Sequence, residues 1–135
     1  MAISLKPTLT LESNSGSTGV SEDSSLSLSV TDTLTVTDPM MGISRIACTV
    51  TGNETIILPD LDTTRYVYIK NTGLDASDTA TTDTVKVETA NNTRIINLSA
   101  DEFCFFPHKA ENSGLIQLEA SANTVVVEYG YWTKV

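Results

Sequence analysis

Apolar and polar residues alternate in two stretches near the start of the chain. The apolar positions of the two stretches are Ile3, Leu5, Leu9 and Leu11, and then Leu26, Leu28, Val30, Leu34 and Val36. A period of two residues is typical of an extended strand that presents one apolar face. Pro7 falls within the first stretch and has no N–H group, which confines that strand to the edge of a sheet or to the surface of another molecule.

Between these stretches, Glu12–Ser25 is rich in Ser, Gly, Asn and acidic residues, which predicts a loop or a flexible linker. The N-terminal part has few large side chains to bury, so we do not expect it to fold alone. We predict an extended N-terminal arm and linker over residues 1–41, which becomes ordered when it lies on a partner. The predicted partner-binding residues of the arm are Ile3, Leu5, Leu9, Leu11, Leu26, Leu28 and Val30.

From Gly42 onward, short apolar segments recur roughly every eight to twelve residues, with turn-forming residues between them. We count about eight such segments between Ile43 and Trp132, and none keeps a helical period for longer than about one turn. Arg65–Lys70 is apolar on both faces, as expected of a strand in the middle of a sheet. The pattern predicts an all-β fold: an antiparallel β-sandwich domain over residues 42–135, either jelly-roll-like or immunoglobulin-like.

Composition agrees with β structure and restricts the classes of partner. Ser and Thr make up roughly a quarter of the 135 residues, and β-branched Thr suits a half-exposed pleated surface. The formal net charge of −9 argues against nucleic acid and against an anionic membrane as partners, because both are negatively charged. Acidity of this degree favours solubility at high copy number. The segment Met1–Leu9 lacks the apolar run of a signal peptide, so we expect no secretion signal.

Side chains suited to catalysis or metal binding are few and isolated. His108 is the single histidine, and neither a nucleophile elbow nor a zinc-ligand spacing surrounds it, so we expect an exposed loop histidine. The acidic segments Asp60–Asp62 and Asp75–Asp83 lack the full pattern of a calcium loop, and we expect solvated loops there. We therefore predict that the protein is not an enzyme and has no catalytic, metal-binding or cofactor-binding residue.

Two cysteines and a group of aromatic residues complete the candidates. Cys48 and Cys104 lie within apolar segments and are expected to be buried, and a disulfide between them is left open. The aromatic residues of the C-terminal part could contact a partner, stack on a sugar, or complete the sandwich core. The candidate interface aromatics are Phe103, Phe105, Phe106, Tyr129, Tyr131 and Trp132.

A series of short motifs follows in order from Arg65 to Val135, about half of the chain. The motifs are YVYIKNTG, VKV, LSADEFCFFP, LIQLEASA and TVVVEYGYW, with a Thr- and Asp-rich loop between the first two. In these motifs the chain resembles a family of small tailed-phage virion proteins. The motifs are structural, carry no catalytic residue, and do not extend into the N-terminal third.

The resemblance implies a β-sandwich that decorates a phage capsid as a cement protein, binding the outer face of the major capsid protein shell and stabilising the head. A tail, baseplate or fibre component built on the same sandwich is an alternative. A carbohydrate-binding module with Tyr129, Tyr131 and Trp132 as a stacking platform is a third interpretation. Under the first, the expected partners are the major capsid protein and further copies of the chain, as a dimer or trimer. The protein would then be located on the capsid surface of the virion, after assembly in the host cytoplasm.

Overall fold

The computed structural model describes residues 2–12, 27–37, 42–50, 55–58, 63–109 and 115–135. Across these ranges the chain forms twelve β-strands and one short 3-10 turn, Ala90–Asn92. In chain order the strands are β1 (Ile3–Leu5), β2 (Thr8–Glu12), β3 (Ser27–Thr31), β4 (Leu34–Thr37), β5 (Ser44–Cys48), β6 (Thr55–Leu58), β7 (Arg65–Asn71), β8 (Val85–Thr89), β9 (Thr93–Leu98), β10 (Phe103–His108), β11 (Ile116–Ala120) and β12 (Val125–Lys134). Strands β5 to β12 form the part that the sequence predicts as a sandwich.

The strands assemble into two main sheets. The first sheet has the order β1-β4-β12-β7-β10, and β5 pairs with the first half of β12 on the side where β4 pairs with its end. The second sheet has the order β6-β11-β8-β9. Neighbouring strands in both sheets are antiparallel. The predicted all-β, antiparallel β-sandwich is confirmed.

The core lies between the inner faces of the two sheets. Side chains in a strand point alternately to opposite faces, so a period of two buries one face of each sheet. The buried residues at the centre are Val67, Ile69, Val125 and Val127 of the first sheet and Val85, Val87, Ile116 and Leu118 of the second. Just after β5, the carbonyl oxygen of Thr49 accepts a hydrogen bond of 2.8 Å from the N–H of Ala120. This bond links the two sheets, because Thr49 follows a strand of the first sheet and Ala120 ends β11 of the second.

Strand β7 lies inside the first sheet, between β12 and β10, as its apolar pattern predicts. Tyr66 and Val67 are both buried although neighbouring residues of a strand point to opposite faces. At the start of the strand, buried Arg65 places its guanidinium carbon 5.6 Å from the ring centroid of Tyr131, which is a cation–π distance.

Asn71 ends β7 and fixes the loop that follows. Its side chain is fully buried, and Nδ2 donates to the carbonyl oxygens of Asp83 at 2.9 Å and Leu98 at 3.1 Å. Its Oδ1 accepts a hydrogen bond from the N–H of Gly73 at 2.9 Å. Gly73 has a φ of +69°, in the left-handed region that favours glycine. The Asn71 side chain therefore ends the strand by bonding to Gly73 two residues on and to two distant backbone segments, at Asp83 and Leu98.

The two alternating stretches of the predicted extended N-terminal arm pair with each other as one long β-hairpin, a pairing that the sequence analysis did not predict. β1 pairs with β4 and β2 pairs with β3. One register runs through both pairings, from Ile3 opposite Val36 to Glu12 opposite Ser27. Between them the N–H of Asp32 still donates to the carbonyl oxygen of Pro7 at 3.3 Å. The reason is that two alternating strands in matching register satisfy each other's backbone hydrogen bonds.

The base of the hairpin belongs to the first sheet. β4 pairs with Thr133 and Lys134 of β12, and Val36 is fully buried. Residues directly opposite in an antiparallel pair point to the same face. Val36 therefore shares a face with Lys134 and Trp132, and with Tyr66, which lies opposite Trp132. We call this the outer face of the first sheet, and the apolar side of the hairpin is continuous with it.

Candidate protein interaction surface

Beyond the first sheet, the apolar side of the hairpin is exposed. Its side chains form two opposite pairs, Leu9 with Val30 and Leu11 with Leu28. Each of the four is between 41% and 51% exposed, whereas Val36 at the base is fully buried. We call these four residues the hairpin stripe. The opposite side of the hairpin carries Thr and Ser residues.

Most of the arm residues predicted from the sequence lie on this side of the hairpin. Ile3 and Leu5 are half-buried at its base, the four residues of the hairpin stripe are exposed, and Leu26 lies outside the described residues. The segments Leu9–Leu11 and Leu28–Val30 contain no ionisable residue, although the chain has a net charge of −9. A contiguous uncharged apolar surface on a strongly acidic protein is typical of a protein–protein contact.

A second exposed apolar surface lies at the edge strand of the first sheet. Phe103 and Phe105 alternate along β10 and lie opposite Lys70 and Tyr68 of β7, on the outer face. The rings of Phe105 and Tyr66 are stacked, with centroids 6.0 Å apart and planes 5° from parallel. Phe103 is 60% exposed and Phe105 is 38% exposed. We call Phe103 and Phe105 the aromatic row.

A cleft of about 820 Å³ separates the hairpin stripe from the aromatic row. Its main lining residues are Pro7, Leu9, Val30 and Leu34 on the hairpin side and Tyr66, Phe103, Phe105 and Pro107 on the sheet side. Of the residues that line it, Asp32 and Lys134 are charged. Local sequence patterns do not predict the cleft, because its two walls are far apart along the chain.

The six aromatic residues predicted for an interface divide between two faces. Phe103, Phe105 and Trp132 lie on the outer face, and Phe106, Tyr129 and Tyr131 pack, half-buried, against the core. Tyr131 lies opposite Val67 whereas Trp132 lies opposite Tyr66, so the two neighbours point to opposite faces. Tyr129, Tyr131 and Trp132 therefore do not form a shared stacking platform for a sugar. Tyr129 and Tyr131 complete the core, which is the other role considered from the sequence.

His108 lies at the end of β10 and not in a loop as expected. The strand continues through Pro107 to His108, which is half-buried. The ring of His108 meets the ring of Phe106 edge-on, with centroids 6.3 Å apart. His108 therefore packs against an aromatic side chain that itself contacts the core.

In the acidic loop Asp75–Asp83, carboxylates accept hydrogen bonds from within the loop and from a neighbouring segment. Oδ1 of Asp75 accepts hydrogen bonds from the N–H groups of Ser77 at 2.8 Å and Thr79 at 2.9 Å. Nδ2 of Asn123 donates to Asp83 at 2.9 Å, and this bond, with others to the same carboxylate, lowers the pKa of Asp83. In the described ranges, no three His, Cys, Asp or Glu side chains form a group that could hold a metal ion. Asp60–Asp62 lies outside these ranges.

Both cysteines are free thiols in apolar surroundings. Burial raises the pKa of Cys48 to about 12 and that of Cys104 to about 11. Thiols at such pKa values remain protonated at neutral pH and are poor nucleophiles. The expectation that they are small buried hydrophobes is confirmed for Cys48, and Cys104 is half-buried.

The second sheet carries a buried polar group that sequence analysis missed. Lys86 and Glu119 form an ion pair, and Nε2 of Gln117 donates to Oδ1 of Asn92 at 2.7 Å. Glu88 beside them is 4% exposed, and among the described residues its Oε2 has no hydrogen-bond partner. The sequence VKVE does contain a signal for this group. Its charged residues alternate with valines, so they point away from the core when the valines point into it.

No family of known proteins, no curated protein and no solved structure matches the chain. No helix in the described part of the chain is long and apolar enough to cross a membrane. The functional interpretation therefore depends on the two exposed apolar surfaces and the cleft between them.

Proposed function

We propose that this protein is a phage capsid decoration, or cement, protein that binds the outer face of a shell of major capsid protein and stabilises the head. The observation that supports the proposal most is the hairpin stripe, a set of large aliphatic side chains held in water by a regular hairpin. An apolar surface of this kind favours burial against another protein. The resemblance of the motifs between Arg65 and Val135 to tailed-phage virion proteins supports the class of particle.

The sandwich acts as a rigid base and the hairpin as the attachment element. Burying the exposed parts of the four stripe side chains contributes about 6–8 kcal/mol at about 25 cal/mol per Å². Loss of translational and rotational freedom on association costs about 4–15 kcal/mol. A single contact is therefore modest, and the head is stabilised because a shell offers many equivalent sites to many copies.

The test uses heads assembled without the protein, produced by deleting its gene, and then incubated with the purified chain. Occupancy is measured by densitometry of sedimented heads. Leu11→Ser combined with Leu28→Ser should reduce occupancy strongly, because both side chains belong to the hairpin stripe. The matched control is Thr10→Asn combined with Ser29→Asn, an exposed opposite pair on the other side of the hairpin. Equal occupancy of the two double variants would contradict the proposal.

A reconstruction of complete particles separates the head assignment from the alternative of a tail, baseplate or fibre component. Density for the sandwich on the outer surface of the shell supports decoration. Density found solely at the tail or baseplate would reject the head assignment. In that case the same stripe substitutions should remove the protein from the tail.

A further inference from the structure

Leu9 and Val30 of the hairpin stripe line the same cleft as the aromatic row, and within one chain the cleft separates the two. The base of the hairpin is paired to β12 through β4, on the side of β12 away from β7 and β10. The cleft has a volume of about 820 Å³, which is large enough to hold many water molecules. Because the walls are mostly apolar, replacing this water by aliphatic side chains is favourable.

We propose that the hairpin stripe of each copy enters the cleft of a second copy and packs on its aromatic row, so that two chains form a reciprocal two-fold dimer. The occupant that the cleft requires is an apolar, uncharged and narrow surface. The paired segments Leu9–Leu11 and Leu28–Val30 present such a surface, since they are two adjacent strands wide and contain no ionisable residue. A second copy therefore supplies both the stripe and a cleft for the first copy's stripe.

The exposed area agrees with the size of a stable dimer. The exposed parts of the hairpin stripe amount to about 300 Å² and those of the aromatic row to about 200 Å². Since roughly 60% of a protein interface is apolar, about 500 Å² of apolar area corresponds to about 800 Å² buried per copy. That is the standard size of a specific interface. Packing stripe against stripe would use only the first of these areas and would leave the aromatic row in water.

Charge determines how the dimer should respond to salt. Two chains of net charge −9 repel one another at a distance, but the contacting segments of the hairpin are uncharged. The receiving side carries Lys70 opposite Phe103, and the cleft is lined by one cation and one anion, Lys134 and Asp32. Screening the long-range repulsion with salt should therefore strengthen the dimer. An association held mainly by ion pairs would weaken under the same change.

The dimer gives the proposed function a form of control, and this step depends on that function. A stripe exposed on an abundant protein would promote indiscriminate association. Stored in the cleft of a second copy, it is covered until a shell site competes for it. Shell binding and dimer formation then exclude each other, and the aromatic row is needed only for the dimer.

The test measures self-association by sedimentation velocity over a wide range of protein concentration, at low and at moderate salt. The stripe variant, Leu11→Ser with Leu28→Ser, and the row variant, Phe103→Ser with Phe105→Ser, should each weaken the dimer by roughly 30-fold or more, as expected for loss of a central anchor. An equimolar mixture of the two variants should associate more tightly than either alone. In that mixture the intact stripe of one variant meets the intact aromatic row of the other. Thr10→Asn with Ser29→Asn should associate like the unaltered protein.

The outcomes distinguish this inference from the proposed function. A chain that stays monomeric at several hundred micromolar, or a mixture no tighter than its separate variants, would overturn the reciprocal dimer. The row variant should occupy heads at least as well as the unaltered protein, because it keeps its stripe. If the dimer behaves as expected but neither the unaltered protein nor any variant binds heads, decoration is rejected and the dimer still stands. Circular dichroism confirms that each variant is folded.

Discussion

Replacing Asn71 by Ala should be among the most destabilising single substitutions in this protein. The side chain is fully buried and makes three hydrogen bonds, all to backbone groups: the carbonyl oxygens of Asp83 and Leu98 and the N–H of Gly73. Alanine leaves these three groups without their partner in a buried site. Each unsatisfied group costs about 1–3 kcal/mol, and we expect about 3–5 kcal/mol in total because some relaxation or entry of water reduces the sum.

The loss would be large relative to the whole stability of a domain of this size, about 5–15 kcal/mol. Urea unfolding, followed by circular dichroism and by the fluorescence of the single Trp132, measures the free energy of unfolding. The matched control is Asn97→Ala, because Asn97 is exposed on β9, and it should change that energy by less than about 0.5 kcal/mol. A loss below about 1 kcal/mol for Asn71→Ala, at an unchanged denaturant slope, would refute the argument.

Asn71→Asp gives an independent check on the two donated hydrogen bonds. Aspartate keeps an acceptor for the N–H of Gly73 but presents an oxygen to the carbonyl groups of Asp83 and Leu98. At neutral pH a buried carboxylate facing carbonyl oxygens is unfavourable. Once protonated it can donate one hydrogen bond, so the stability of this variant relative to Asn71→Ala should rise as the pH is lowered. If the relative stability of Asn71→Asp does not change with pH, the two hydrogen bonds that Asn71 donates contribute little to stability.

Two further predictions concern ionisation and backbone conformation. Burial raises the pKa of Cys48 to about 12, whereas the unfolded thiol titrates near 9.0. The unfolded chain therefore loses this proton first, and the free energy of unfolding falls as the pH rises above about 9, by about 1.4 kcal/mol at pH 10. Cys48→Ala should make that decline shallower, and an unchanged slope in urea unfolding between about pH 8 and pH 10 would contradict this. Gly73→Ala should lower stability by about 1–2 kcal/mol, because φ is +69° and the new Cβ would lie 3.3 Å from Cβ of Ala100. At Gly42 a Cβ meets nothing within 4 Å, so thermal unfolding of Gly42→Ala should match the unaltered protein.

Local patterns predicted the strands well because the period of two is a property of the extended backbone itself. The apolar segment Arg65–Lys70, predicted as a strand in the middle of a sheet, lies in β7. Along β12, Tyr131 is an even number of residues from the buried Val127 and Trp132 is an odd number away. The alternation along this strand therefore already indicates that Tyr131 and Trp132 point to opposite faces of the sheet.

The candidate surface could be predicted only in part. The alternation of apolar residues in the arm was predicted, and their role in binding stays a prediction, but their pairing into a hairpin was not anticipated. Pairing depends on which distant strand satisfies the backbone hydrogen bonds, and composition carries no information on that choice. The cleft has the same origin, because Leu9 and Phe103 are brought to its two walls by the order of strands in the first sheet.

The order of residues along the chain is enough to locate the strands and to tell which residues share a side of each strand, and composition is enough to give the acidity that disfavours anionic partners. Tertiary structure decided which of the two sides is covered. Along the hairpin the same apolar side is buried at Val36 and exposed at Leu28, although both residues obey one alternating pattern. The physical reason is that alternation defines two faces but does not supply the neighbour that covers one of them. At the base of the hairpin that neighbour is a sheet assembled from distant segments, whereas further along the hairpin Leu28 is 41% exposed among the described residues.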